Sequence, residues 1–355
     1  MPAIELKRTT NFRLPMAILG ASLSADESTL LTGCMDGVYL SDVEAGSSNR
    51  VAEHSSYVSG VAWLPEQSRY LSAGYDGQLQ WFDAATNESA RLQKIHEFWS
   101  WDMAVSPDGR LIASVTGQYL AGGYRYEPQP EREPSVVVLD AVSGEVLLQL
   151  PHVPSVQAVC FSPDSRHVAA GNLMGEVRIW DCIDGSLKAS WSTDEFTSWG
   201  IIKSHCYLGG IFAMRFTPDG QHLLLAGMGP MRDPMAGNGK QLWQKWAWQQ
   251  EQPEKVAQIR KDDGGEGLME ALVIHPQNPV FAMGGRLRGG DWNAALFDYN
   301  SGERLATLKT GYRVTGLQFT ADGSRLIVTG TQGQPKPSKE LTWEPFGRVE
   351  FYELS

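Results

Sequence analysis

Between Ser155 and Trp191 the chain reads SVQAVCFSPDSRHVAAGNLMGEVRIWDCIDGSLKASW. Turn clusters part it into four short runs of β-branched, aromatic and small apolar residues: Val156 to Phe161, His167 to Gly171, Glu176 to Asp181 and Leu187 to Trp191. The pattern predicts one four-stranded antiparallel unit. Its first turn is Ser162-Pro163-Asp164, where proline presets φ and aspartate can bond nearby backbone, and its third strand closes on Trp180-Asp181. A lone sheet of this size cannot bury both faces, so the unit must recur and stack.

It does recur. The turn after the first strand reappears as Ser24-Ala25-Asp26, Leu64-Pro65-Glu66, Ser106-Pro107-Asp108, Thr217-Pro218-Asp219, His275-Pro276-Gln277 and Thr320-Ala321-Asp322, which makes seven copies. Third strands are expected to end at Ser41-Asp42, Phe82-Asp83, Leu139-Asp140, Trp180-Asp181, Trp248-Gln249, Phe297-Asp298 and Tyr352-Glu353. Fourth strands follow at Arg50 to His54, Arg91 to His96, Val146 to Leu150, Leu187 to Trp191, Lys255 to Arg260 and Arg304 to Leu308. The seventh unit lacks one, while Ile4 to Thr10 (IELKRTT) is a strand without a unit of its own. The N-terminal strand is therefore expected to complete the last unit, which removes an exposed edge.

The W-D dipeptide after V-R-I, with F-S-P-D some twenty residues before it, resembles a blade of the WD-repeat β-propeller family in a divergent, bacterial-type form. The resemblance spans essentially the whole chain. It implies an all-β, seven-bladed β-propeller of four-stranded antiparallel blades, its ring closed by the N-terminal strand. That is one domain over residues 1–355, with blades near 17–57, 58–99, 100–154, 155–209, 210–267, 268–313 and 314–355 plus 4–10. It also implies a rigid, non-catalytic platform for a protein or peptide partner, needing no cofactor. Family members often anchor a blade with a Gly-His pair; His54, His96 and His152 stand near that place without the glycine, so the anchoring network is expected to be eroded.

Composition narrows the partner. Thirty basic and forty-one acidic residues give a net charge of −11, and no stripe of Lys and Arg offers a track for nucleic acid. No run approaches the roughly 18 apolar residues of a membrane span, and the N-terminus has no apolar leader core. Four scattered cysteines (Cys34, Cys160, Cys182, Cys206) read as apolar fillers in a reducing, cytoplasmic setting. Seven histidines without ligand spacing predict no metal site, and G-N-G-K at 237–240 lacks the spacing of a phosphate loop.

The extra length is concentrated in Gly117 to Pro134, Gly227 to Lys240, Gly330 to Phe346, Gly284 to Asn293 and Thr193 to Gly209. In a propeller, second-to-third loops and blade-to-blade loops emerge on one face, which makes that face the expected binding surface. Its aromatic and arginine content suits protein contact, with Trp99, Trp101, Tyr119, Tyr124, Trp199, Arg232, Arg286, Trp292 and Trp343 as candidates. A second reading places a small-ligand or catalytic site at the channel mouth. Aligning the first strands puts Leu19, Ser59, Trp101, Gln157, Phe212, Glu270 and Thr315 at one position and Gly20, Gly60, Asp102, Ala158, Ala213, Ala271 and Gly316 at the next. Asp102 alone is not tiny there, and a carboxylate so placed needs water or a cation, with Arg215 available and Glu270 a further channel acid.

Overall fold

In the computed structural model five of the seven recurring turns are built the same way, and Pro65-Glu66 of the second copy lies outside the described residues. Ser24, Ser106, Ser162, Thr217 and Thr320 each donate a hydroxyl hydrogen bond to the aspartate two residues on, at 2.5–2.8 Å. The same hydroxyl oxygen accepts the N–H that opens the second strand, as from His167 at 2.9 Å. In the sixth blade His275 does this work, its Nδ1 accepting the N–H groups of Gln277 and Asn278. The acid closing each third strand is spent similarly: Asp42, Asp83, Asp140 and Asp298 each accept two N–H groups of the following hairpin. Three of these hairpins then pass through Gly46, Gly144 or Gly302 at φ between 65° and 72°, a conformation costly for a residue with a Cβ, and the hairpin after Asp83 places Asn87 there at φ 60°.

The structure describes residues 3–64, 68–118, 130–196, 210–233, 238–333, 339 and 344–355, with backbone alone at 231–233, 238 and 287–288. Among the described residues the structure is all-β apart from one helical turn, Asp194–Phe196. The first blade comprises Ile18–Leu23, Thr29–Cys34, Gly37–Asp42 and Ser48–Ala52; the second Val58–Leu64, Arg69–Gly74, Gln78–Asp83 and Ser89–Lys94. The third comprises Asp102–Val105, Leu111–Val115, Val136–Asp140 and Val146–Leu150; the fourth Val156–Phe161, His167–Asn172, Glu176–Asp181 and Leu187–Ser192. The fifth is Gly210–Phe216, His222–Asp233, Asn238–Ala247 and Glu254–Gln258, and the sixth Glu266–Ile274, Val280–Gly289, Ala294–Asp298 and Arg304–Leu308. Arg313–Phe319, Arg325–Thr331 and Gly347–Leu354 make the seventh, and Leu6–Leu14 is its outer strand, antiparallel to Gly347–Leu354 from Leu6↔Leu354 to Leu14↔Gly347.

One expected loop is largely strand. Residues 227–233 and 238–240 extend the second and third strands of the fifth blade into a long hairpin paired as far as Asp233↔Asn238, which puts Gly239 and Lys240 in strand; Gly237 lies outside the described residues. The third strand of this blade ends at Ala247, one residue short of the expected Trp248. The sixth blade likewise continues to Gly289 where a loop from Gly284 was expected.

The contacts divide into two compact units: Met1–Leu92 with Glu270–Leu287 and Asp291–Ser355, and Gln93–Met269 with Arg288–Gly290. In the first unit the sixth, seventh, first and second blades pack through alternating apolar faces such as Val314, Leu326 and Val328, or Leu30, Tyr39 and Phe351. In the second, Val136, Val138, Val156, Val159 and Trp180 are all nearly sealed from solvent. Each such side chain contributes roughly 1.5–3 kcal/mol when fully buried.

Candidate functional site

First strands of neighbouring blades lie against one another within each unit, and this explains the aligned positions. In five first strands the pairing skips one residue: Leu19, Ser59, Gln157, Phe212 and Thr315. Each is the extra residue of a β-bulge, freed from its own ladder to reach elsewhere. Thr315 uses the freedom to donate to the Ile18 carbonyl of the next blade at 2.7 Å. The residue after the bulge must be small: a Cβ on Gly20 would stand 3.1 Å from the Gly60 Cα.

Asp102 occupies that small position with a purpose. Its Oδ2 accepts the Val159 N–H of the adjacent first strand at 3.0 Å, and its Oδ1 accepts the Met103 N–H at 2.9 Å. Burial holds its carboxyl above the usual carboxylate range, against the opposing pull of Arg215. The carboxylate is thus a latch between the third and fourth blades. Glu270 sits in the other unit, where its two oxygens take the forked guanidinium of Arg313, one bond being 2.5 Å from Nε.

The expectation of an eroded anchoring network is corrected by the second blade. His54 Nδ1 stands 3.1 Å from both Asp76 oxygens and its Nε2 is 2.7 Å from Ser72 Oγ. The carboxylate can only accept, so Nδ1 carries the proton and Ser72 donates to Nε2. Serine, histidine and aspartate in this order invite a hydrolytic reading, but Ser72 is fully buried in the middle of a strand and no substrate can reach it. Gly74 makes room: a Cβ there would meet His54 Nδ1 at 2.5 Å. Asp76 lies in the Asp-Gly turn at 76–77, the sequence signal that could have completed the set.

Other blades place different side chains at the same kind of joint. His96 Nε2 is 2.9 Å from Ser114 Oγ, and burial pushes its imidazole down to about 4. His152 Nε2 donates to the Ala170 carbonyl at 3.2 Å and is pushed down to about 3, chiefly by burial. Gln244 receives Thr193 and Trp246, Asn293 bonds the Gly285 and Tyr312 carbonyls, and Glu350 receives Tyr312, Tyr352 and Arg8.

Two surfaces bring aromatic or basic side chains together. In the second unit Phe98 and Trp99 stack at 5.1 Å with planes 7° apart, and Trp101 meets both edge-on. Trp101 is pinned by its Nε1–H to the Gly117 carbonyl at 2.8 Å, while Glu133 accepts the N–H groups of Glu97 and Phe98. Trp99 remains 40% exposed on this fixed base. In the first unit an open cavity of about 730 Å³ is walled by Tyr57, Tyr75, Arg286, Lys309 and Arg313 among others.

Of the other partner-binding candidates, Arg286 is exposed at that cavity. Trp292 requires correction: it is 4% exposed, packed edge-on against Phe297 under the Arg304 guanidinium, and is a core residue. Tyr119, Tyr124, Trp199, Trp343 and the Arg232 side chain lie outside the described residues. Tyr57, Lys309 and Arg313 were not among the candidates, because the fold alone brings them together from three separate blades. Among the described residues no group of three His, Cys, Asp or Glu is gathered as metal ligands, and no helix is long and apolar enough to cross a membrane.

The WD domain, G-beta repeat family model matches residues 47–83 and 144–181, each an outer strand followed by three strands of the next blade. Human telomerase Cajal body protein 1 is 23% identical over 256 residues, covering 67% of this chain and 40% of that protein. The guanine nucleotide-binding protein subunit beta of Nicotiana tabacum is 23% identical over 289 residues, 79% of this chain and 68% of that one. THO complex subunit 6 homolog of Danio rerio is 27% identical over 209 residues, 56% and 57% of the two chains. Two segments thus match the WD domain, G-beta repeat model, and the other blades are laid out on the same four-strand plan.

Proposed function

We propose that the chain is a non-catalytic WD-repeat scaffold, of the cytoplasm, that binds a protein or peptide partner through the loop-bearing face of a closed seven-bladed ring. The observation that carries this reading is the Phe98–Trp99–Trp101 cluster: a large apolar surface, fixed by hydrogen bonds at its base and left open at Trp99. Rigid exposed aromatics dominate binding energy at protein interfaces because they bury much area at little entropic cost. Tyr119, Tyr124, Trp199, Arg232, Arg286 and Trp343 are kept as further proposed partner contacts. The polar side chains that could have served chemistry, Asp102 and the Ser72–His54–Asp76 set, are engaged in joining strands and blades. Two of the three relatives named above are subunits by name, which favours a part in an assembly.

Affinity capture from native lysate tests the reading. Intact chain should recover a protein set that Trp99→Ala and Phe98→Ala lose at unchanged melting temperature. Equal recovery by all three chains would end it.

A further inference from the structure

Among the described residues nine large apolar or aromatic side chains are exposed, and five of them stand on the outer rim of the third and fourth blades. Val142, Val146 and Leu147 belong to the third blade and Ile183 and Leu187 to the fourth, each set on an outer strand and the hairpin that leads into it. Ile183 is 80% exposed and the other four between 40% and 55%. The two sets adjoin. A Cβ on Gly185, in the fourth-blade hairpin, would stand 3.2 Å from Leu148 Cδ2 and 3.3 Å from Leu150 Cδ2 of the third-blade outer strand. Both stretches lie in the fully described run 130–196, and Asp140 is paired with Leu111 at the end of its blade remote from the Val115↔Val136 pair.

Single exposed apolar residues are ordinary, whereas a contiguous group marks a contact. The strand beneath this group is also unguarded. Six of the seven outer strands carry at least one charged residue, such as Arg91 and Lys94 in the second blade or Lys188 in the fourth. Val146–Leu150, reading VLLQL, carries none and is the last strand of its sheet. Charges on an edge deter chance association, and here that deterrent is missing.

Charge selects the occupant. Glu145 directly precedes Val146 and Asp184 directly follows Ile183, both exposed and with no cation within 4 Å among the described residues. Lys188 and Arg166 are instead drawn to Asp181, at 3.6 and 3.3 Å. A second copy docked on the same patch about a two-fold axis would bring these acids against their own kind, on a chain already at −11. A segment with Lys or Arg beside its apolar residues meets them with opposite sign.

We infer that this rim binds a basic, apolar segment of a partner protein, its apolar side chains covering Val146, Leu147 and Ile183 and its cations meeting Glu145 and Asp184. The site stands apart from the Trp99 surface and takes a different partner, so both can be occupied together.

Fluorescence anisotropy on the full chain tests it, using a labelled peptide of leucines flanked by lysines, a counterpart with Gln for Leu and a counterpart with Glu for Lys. The Lys-Leu peptide should bind and weaken as salt rises, and both counterparts should bind at least about tenfold more weakly. Leu147→Ser with Ile183→Ser should lower its affinity at least about tenfold at unchanged melting temperature, and Glu145→Gln with Asp184→Asn should reduce the salt dependence. Equal binding of either counterpart, or full affinity in the serine chain, would overturn the inference. So would a dimer in sedimentation that the serine chain loses, since a second copy would then be the occupant. Trp99→Ala should bind the peptide as the intact chain does; loss of binding there would move the peptide to the Trp99 surface and end the rim assignment alone.

Discussion

The Nε2 of His54 lies 2.7 Å from the hydroxyl oxygen of Ser72, and both side chains are sealed from solvent. The arrangement has the order of a nucleophile and its base but joins the entry of the second blade to its own second strand. Asp76→Ala leaves a buried imidazole without its acceptor, an effect of about 1–3 kcal/mol. Chemical denaturation should show that loss. The intact chain should hydrolyse no activated ester faster than the Ser72→Ala chain does.

Two buried histidines make the second unit sensitive to acid. His96 and His152 are held near 4 and 3, below their unfolded value, so the folded state binds fewer protons than the unfolded one between those values and 6.5. Stability therefore falls as pH drops from about 6.5 towards 4 and 3, by a few kcal/mol at most. Melting curves from pH 7 to 4 should show the fall, and His152→Gln should flatten it. A melting temperature constant across the window would contradict the assignment.

Asp102 titrates in the opposite sense. Its raised value means that the folded state holds the proton more tightly, so its contribution to stability is present at low pH and declines as pH rises through the folded value. Asp102→Asn keeps an acceptor for the Val159 N–H without a buried charge and should be neutral or stabilising at pH 7. Asp102→Ala leaves that N–H unpaired and should cost about 1–3 kcal/mol. Equal melting temperatures for the two variants would contradict the latch.

The N-terminal strand can be tested by removal. Without residues 3–14 the Gly347–Leu354 edge loses its ladder, buried Glu350 loses Arg8, and Phe351 loses Phe12. The shortened chain should melt several degrees lower and self-associate, and a synthetic peptide of residues 3–14 should reverse both effects. Unchanged melting would mean that this pairing contributes little.

The repeat was legible because its turns have a local chemistry. Ser162 and Asp164 fix their turn through neighbours two to five residues away, so the pattern survives in any window of sequence. Five of the seven aligned first-strand positions are bulges, with the small residues Gly20 and Gly60 marking where two strands crowd. What was not legible depends on separation. Asp76 meets His54 across 22 residues, and Glu133 reaches Glu97 across 36. Trp292 was taken for a surface residue because it stands in the expected loop from Gly284 to Asn293; burial comes from Phe297 and Arg304, which sequence proximity does not rank. Gly227 to Lys240 looked like a loop on its glycines and prolines, whereas cross-strand pairing carries the ladder through them.

Hydrogen–deuterium exchange of the full chain, alone and saturated with a captured partner, tests the central claim most directly. The account predicts slowed exchange at 97–118, around Trp99, with the outer strands such as Val146–Leu150 unchanged. Protection confined to the outer strands, with 97–118 exchanging as in the free chain, would contradict it.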